Sequence, residues 1–230
     1  ALELEELGVD RTPTPSNTNS QASRRTNTAS IVLPGSNNEP PGLTPAERAF
    51  EAIQRHSPRR GDQRESLALW RLLGGRRSEV SAYAGGIDLD LPIKSLLSQA
   101  EMFLEQGFHA IKMKVGRDQL SEDIERVRSM RGLLGPSFPL MADANMRWSI
   151  DHAVRAVDAL SKFDLYWLEE PLIPEDLEGH QRLGREARIP IATGENLHSV
   201  HEFEHLINYG HVDFPEPDAA TLGGITPWMR

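Results

Sequence analysis

From residue 80 onward, short apolar runs alternate with amphipathic stretches at a regular interval. The runs at 81–84, 109–115, 139–144, 165–170, 189–193 and 212–215 are predicted strands. They are short and mostly apolar, as strands are when both faces are buried. Between them, residues 93–106, 121–134, 150–163, 177–187 and 200–209 carry apolar positions at helical spacing. Gly107, Gly135-Pro136 and Gly210 close three of these helices. Strand and helix alternate at the repeat length of a βα unit. That predicts an α/β fold with a parallel sheet covered by helices, here an incomplete TIM-type (β/α) barrel of about six strands.

The first third of the chain has no such rhythm. Residues 10–45 are rich in Ser, Thr, Asn, Pro and Arg, as in Thr12-Pro13-Thr14-Pro15-Ser16-Asn17. Such a stretch buries too little apolar surface to offset its ordering entropy, so a largely disordered segment is expected. Thr44-Pro45-Ala46-Glu47 reads as a helix start, with Thr44 as N-cap and Pro45 at the first helical position. A second short helix is expected over 64–73, ending at Gly74-Gly75. The predicted organisation is a low-complexity segment at 1–65, a helix and linker at 66–80, and the partial barrel at 81–230.

Composition narrows the function classes. A net charge of −9 argues against a nucleic-acid-binding surface. The chain has no cysteine, which excludes disulfides and thiolate metal sites and makes a reducing cytoplasm the simplest compartment. No apolar run approaches the ~18 residues of a membrane span. No Gly-x-Gly-x-x-Gly or Walker pattern follows any strand, so nucleotide binding has no support.

The chemistry lies at the strand ends. Lys112 and Lys114 share one face of the second predicted strand, with Met113 on the other. The third ends in Asp143-Ala144-Asn145, the fourth in Glu169-Glu170-Pro171, the fifth in Gly194-Glu195-Asn196 and the sixth in Pro217-Asp218. In a (β/α) barrel, active sites lie at this C-terminal end. Asp143, Glu169 and Glu195 come from adjacent strands at intervals of 26 residues. Three converging carboxylates repel unless a cation sits among them, and all-oxygen ligands suit Mg²⁺. Two lysines near such a cation should have lowered pKa values, and a lysine so tuned acts as a base near neutral pH. Glu170 is expected to be a partly buried ion-pair partner. Trp148 and Arg147 are expected either to line the site or to pack beside it.

These motifs together resemble the enolase superfamily, and its mandelate racemase subgroup in particular. The resemblance runs from about residue 69 to 230. It adds Leu72-Leu73-Gly74-Gly75 at the barrel entry and Gly223-Gly224-Ile225-Thr226 after Pro217-Asp218. It implies Mg²⁺ held by Asp143, Glu169 and Glu195, with Lys114 as the base. It makes Lys112 a group that tunes Lys114 or contacts the substrate carboxylate, and Asn145 a contact for substrate oxygens. Asp218 becomes the orienting member of a His-Asp pair. The implied reaction removes the proton α to a carboxylate and forms a metal-stabilised enediolate. Residues 176–180 and 192–197 look most like acid-sugar dehydratases of the galactarate/talarate kind. Racemisation or epimerisation of a 2-hydroxy acid is the alternative. The implied partner is a small carboxylate, and a homo-oligomer is compatible with the family. The family's capping domain and its seventh and eighth strands have no counterpart here, and the first methionine is Met102. The expectation is therefore a truncated chain, with an incomplete remnant that only binds metal as a further alternative.

One rival motif stands outside that reading. His201-Glu202-Phe203-Glu204-His205 matches H-E-x-x-H, with His211 downstream. A zinc hydrolase would gather these histidines. Val200, Phe203, Leu206 and Ile207 form the opposite, apolar stripe, which puts the histidines on a solvent face. His180 and His198 read as surface groups.

Overall fold

The computed structural model describes residues 29–32, 69–76 and 79–230. The chain divides into two compact units. The smaller, Thr28–Ala82, contains strand β1 (Ala29–Val32), the short helix α1 (Leu69–Leu72) and strand β2 (Glu79–Ala82). β1 and β2 pair antiparallel, with Ile31 opposite Val80. A strand thus lies inside the segment expected to be disordered. The apolar, β-branched Ile31-Val32 pair is its local cause, since such residues favour extended backbone. The predicted strand at 81–84 is in fact two. Ala82 ends β2, and β3 (Ala84–Gly85) begins the other unit's sheet. The helix expected from Thr44 lies outside the described residues.

The larger unit, from Tyr83 to Arg230, carries the parallel sheet. Six strands follow in sequence order: β3, β4 (Ile111–Lys114), β5 (Leu140–Asp143), β6 (Leu168–Glu169), β7 (Ile191–Thr193) and β8 (Phe214–Pro215). Every neighbouring pair is parallel. Sequential parallel strands joined by helices are the arrangement of a (β/α) barrel wall. The strands are shorter than the apolar runs that predicted them, because several flanking apolar residues, such as Leu165 and Ile189, pack in the core without joining a ladder.

The joining helices are α2 (Ile93–Glu105), α3 (Leu120–Leu134), α4 (Ile150–Leu160), α5 (Leu177–Glu186) and α6 (Val200–Tyr209). A last turn, α7 (Ile225–Trp228), follows β8. α4 shows why they form. Its buried residues are Ala153, Ala156, Val157 and Leu160, a single stripe at helical spacing. α6 opens with a capping box. Ser199 Oγ accepts from the Glu202 amide, and Glu202 reaches back to the His198 amide. Among the described residues, no helix is long and apolar enough to cross a membrane.

The two sheet faces bury different things. Ile111, Met113, Leu140, Ala142, Leu168 and Ile191 face the helices and join one large core. The inner face holds a smaller cluster of Ala110, Met141, Trp167 and Ala192, with Tyr83, Tyr166 and Phe214 packed on it. Trp167 meets Tyr83 edge-on at 5.6 Å and Phe214 at 5.3 Å between ring centroids. This aromatic layer is the floor on which the strand-end side chains stand.

Candidate active site

Alternation from the floor residues upward fixes what points inward. Ala110 is followed by Lys112 and Lys114, Met141 by Asp143, Trp167 by Glu169, and Phe214 by Glu216. Register agrees, since Lys114 pairs with Asp143 and Asp143 with Glu169. Asp143 and Glu169 are each only 1% exposed.

The lysines sit among those carboxylates. Lys112 Nζ lies 2.5 Å from Glu169 Oε1 and 3.5 Å from Asp143 Oδ2. Lys114 Nζ lies 2.7 Å from Asp143 Oδ2. Trp167 Nε1 donates to the other Glu169 oxygen at 3.0 Å. The Asn145 amide donates to Asp143 Oδ1 at 2.9 Å, while its side chain stays exposed. Burial alone opposes the charge of Lys112. Tyr83, Glu169 and Asp143 outweigh it, so the Lys112 pKa is raised. The lowered value expected beside a bound cation is not what this metal-free arrangement produces, because Lys112 is ion-paired to the carboxylates. Burial pushes the Glu169 pKa up, against the pull of Lys112.

Glu195 arrives differently. Gly194 has φ +136°, and a Cβ there would lie 2.7 Å from the Phe203 ring. Glycine therefore permits the tight turn that follows β7, closed by the Leu197 amide on the Gly194 carbonyl at 2.9 Å. Glu195 sits half-exposed in that turn. As placed, no three His, Asp or Glu side chains among the described residues converge as a metal cluster. The structure thus brings Asp143, Glu169, Lys112 and Lys114 together, with Glu195 on the adjoining turn. Asp218 is exposed, and its carboxylate caps its own turn through the Ala220 and Thr221 amides, both at 2.8 Å.

Other expectations change. Glu170 is fully buried and pairs with an amide, not a cation: Asn196 Nδ2 donates to its Oε1 at 2.6 Å. Trp148 is buried and stacks on His152 at 5.4 Å, a packing role, while Arg147 is exposed. His180 is buried rather than on the surface, and burial lowers its pKa. His201 and His205 are exposed on α6, with His201 paired to Glu204 and His205 edge-on to Tyr209. They gather no third ligand among the described residues.

Glu216 is the inward carboxylate that sequence reading missed. It is 6% exposed, and its Oε2 has no hydrogen-bond partner. The signal was available, since alternation places it on the same face as Asp218. The prolines on either side obscured that period.

The buried acids give a pH prediction. Burial, helped by Glu169, raises Glu216 to about 8. Burial, eased by Asn196 but reinforced by Glu195, raises Glu170 to about 7. The ordinary value in the unfolded chain is 4.5. Both folded values lie above it, so their contribution to stability is full below 4.5 and is lost as pH rises through about 7 to 8. The metal-free melting temperature should fall on the order of 5–10 °C between about pH 5 and pH 9. Glu216→Gln should flatten that slope, and an unchanged slope would show that Glu216 is ionised throughout.

With this geometry in place, comparison with known proteins is decisive for the family. Residues 95–230 match the family described as enolase C-terminal domain-like. The chain belongs to that family. Among relatives, it is 52% identical over 167 residues to a 3,6-anhydro-alpha-L-galactonate cycloisomerase of Streptomyces coelicolor, covering 73% of this chain and 46% of that protein. It is 42% identical over 170 residues to the L-talarate/galactarate dehydratase of Salmonella typhimurium, covering 73% and 42%. An L-talarate dehydratase from a Polaromonas species, solved with Mg and L-glucarate, superposes with a TM-score of 0.65 at 41% identity, over 69% of this chain and 45% of that one. The chain thus spans somewhat under half the length of these relatives. This enolase-type segment carries the strand ends described above. The resemblance to acid-sugar dehydratases holds, and a cycloisomerase joins them as a relative the sequence reading had not weighed.

Proposed function

We propose that this chain supplies the metal-binding and proton-abstracting half of an acid-sugar lyase or isomerase. The observation that carries this is the paired arrangement of Lys112 and Lys114 with Asp143 and Glu169 on the inner face, at the C-terminal strand ends. Two buried carboxylates that already hold ammonium groups are a seat for positive charge. Their hard oxygen donors, with Glu195 beside them, fit Mg²⁺. Asp143, Glu169 and Glu195 would hold the ion. When bound, Mg²⁺ supplies positive charge at the substrate carboxylate, where negative charge grows as the α-proton leaves.

The residues divide the remaining work. Lys114 has one carboxylate partner and is the more exposed lysine at 20%, so it is the one that takes the α-proton, as the neutral amine left once its own proton has gone to solvent. Lys112 bridges two carboxylates at 14% exposure. It therefore stands as a fixed positive charge for the substrate carboxylate. Asn145, anchored through its backbone and exposed at its side chain, is placed for a substrate oxygen. Asp218, which here caps its own turn, is the residue proposed to orient a second acid/base group.

Departure of the oxygen on the β-carbon, which takes up a proton as its bond to carbon breaks, completes the elimination. In an open sugar acid that oxygen is a hydroxyl, and the result is dehydration. The name of the Streptomyces relative points to a second form. The C3 oxygen of a 3,6-anhydro acid is also β to the carboxylate, so ring opening starts from the same proton removal. Proton abstraction alone is testable. The chain with Mg²⁺ should exchange the α-proton of galactarate, talarate or 3,6-anhydrogalactonate for deuterium in D₂O, read by NMR. Lys114→Ala should slow this exchange by about a hundredfold or more. Exchange that persists in K114A, or is absent from the parent chain, would sink the assignment.

A further inference from the structure

The third carboxylate of the proposed set, Glu195, is held by a turn rather than by a strand. One flank of that turn is secured by Leu197, which is buried with Phe203, Leu206 and Leu222. On the same flank, Asn196, the residue directly after Glu195, is secured through its 2.6 Å hydrogen bond to Glu170. Glu195 lies inside the turn that the Leu197 amide closes on the Gly194 carbonyl at 2.9 Å, directly beside the Asn196 anchor, so these contacts set its direction.

Glu170 reaches all three ligand-bearing elements. Its amide donates to the Ala192 carbonyl on β7 at 2.9 Å. Its carbonyl accepts from the Met146 amide at 2.7 Å, beside the Asn145 amide that orients Asp143. Glu169 is its own neighbour. The cost of this placement is visible. Glu170 is a non-glycine residue at φ +40°, fully buried, and its Oε2 has no hydrogen-bond partner. Strained backbone and an unsatisfied buried acceptor are each unfavourable, and they persist where surrounding structure over-determines a functional arrangement.

We propose that Glu170 and Asn196 are positioning residues, whose hydrogen bond holds the Glu195 turn in register with Asp143 and Glu169. The proposal rests on the Mg²⁺ reading of those three carboxylates. Neither positioning residue need touch the ion. They act as the outer hydrogen bonds of a metal site do, by fixing ligand direction.

The test is Mg²⁺ titration calorimetry on the full 230-residue chain, with the metal-free melting temperature recorded for each variant. Asn196→Ala removes the anchor without touching a carboxylate, and should weaken Mg²⁺ binding about tenfold. N196D places a carboxylate against Glu170, and should weaken binding by about thirtyfold or more. The double variant E170Q/N196D reverses donor and acceptor. The amide introduced at 170 then donates to the carboxylate introduced at 196, and affinity should return to within about threefold of the parent. These changes should appear while the metal-free melting temperature of N196A stays within about 3 °C of the parent. If the parent binds Mg²⁺ and N196A binds it equally well, the positioning role is overturned alone. A loss in N196A that the swap leaves unrepaired overturns it too. A parent chain that binds no Mg²⁺ overturns the metal reading, and this inference with it.

Discussion

Glu169→Gln should reduce Mg²⁺ affinity by at least about a hundredfold, the largest binding effect expected from a single change. Glu169 contributes charge where burial makes charge hardest to keep, at 1% exposure. Glutamine preserves the size and leaves an acceptor for Trp167 Nε1, so packing on the aromatic floor is retained. What disappears is one negative charge of a hard-oxygen set whose affinity follows its charge count. Lys112 then keeps only Asp143, at 3.5 Å. Calorimetry with MgCl₂ measures the loss. An affinity within about threefold of the parent would remove Glu169 from the ligand set. Glu178→Gln, on the outer helix α5, serves as the control for general electrostatics, because it changes the same net charge without changing the inner face.

The largest stability effect is expected at Arg126, outside the candidate ligands. Arg126 is buried on α3 at 2% exposure. It donates to the Leu91 carbonyl at 2.7 Å, to the Asp88 carbonyl at 2.8 Å and to Asp88 Oδ1 at 3.4 Å. Asp88 Oδ1 in turn accepts from the Lys114 amide at 2.8 Å. One guanidinium thus holds the loop after β3 against the end of β4, where Lys114 stands. Alanine at 126 leaves the buried Asp88 carboxylate without its guanidinium counter-charge and removes one donor each from the Asp88 and Leu91 carbonyls. Breaking a buried pair from one side costs about 3–5 kcal/mol. Urea unfolding should show that loss with an unchanged slope. The neighbouring Arg117, which also binds this loop but is 27% exposed, should cost only about 1 kcal/mol on the same substitution. Equal costs at the two sites would mean that the loop is not held through Arg126. Removing both charges, as D88N/R126M, should recover part of the loss, because the uncompensated carboxylate is its main source.

Much of this site was legible before any coordinates. Asp143, Glu169, Lys112 and Lys114 sit at the ends of recognisable apolar runs, and alternation alone assigns the lysines to one face. Local periodicity is sufficient there because an inner face of a parallel sheet repeats every two residues. The same rule contained Glu216, but a strand of two residues between prolines offers too short a period to read.

Other features were out of reach for physical reasons. The Lys112 pKa depends on which groups surround it, and its carboxylate partner lies 57 residues away. His180 sits on a helix whose face is decided by what packs on it, so its burial does not follow from its polarity. The split of 81–84 into two strands depends on partners at 29–32 and at 111–112 that local sequence does not announce.

The sequence by itself determined the order of strands and helices, the carboxylates at the strand ends and the two-lysine face, because each follows from residue type and spacing along one element. Only the tertiary structure decided which ammonium lies against which carboxylate, that Glu195 is presented by a turn, and that Glu170 ties together the ends of β5, β6 and β7. These are contacts between segments far apart in the chain, and packing, with the burial it imposes on charge, is what selects among them.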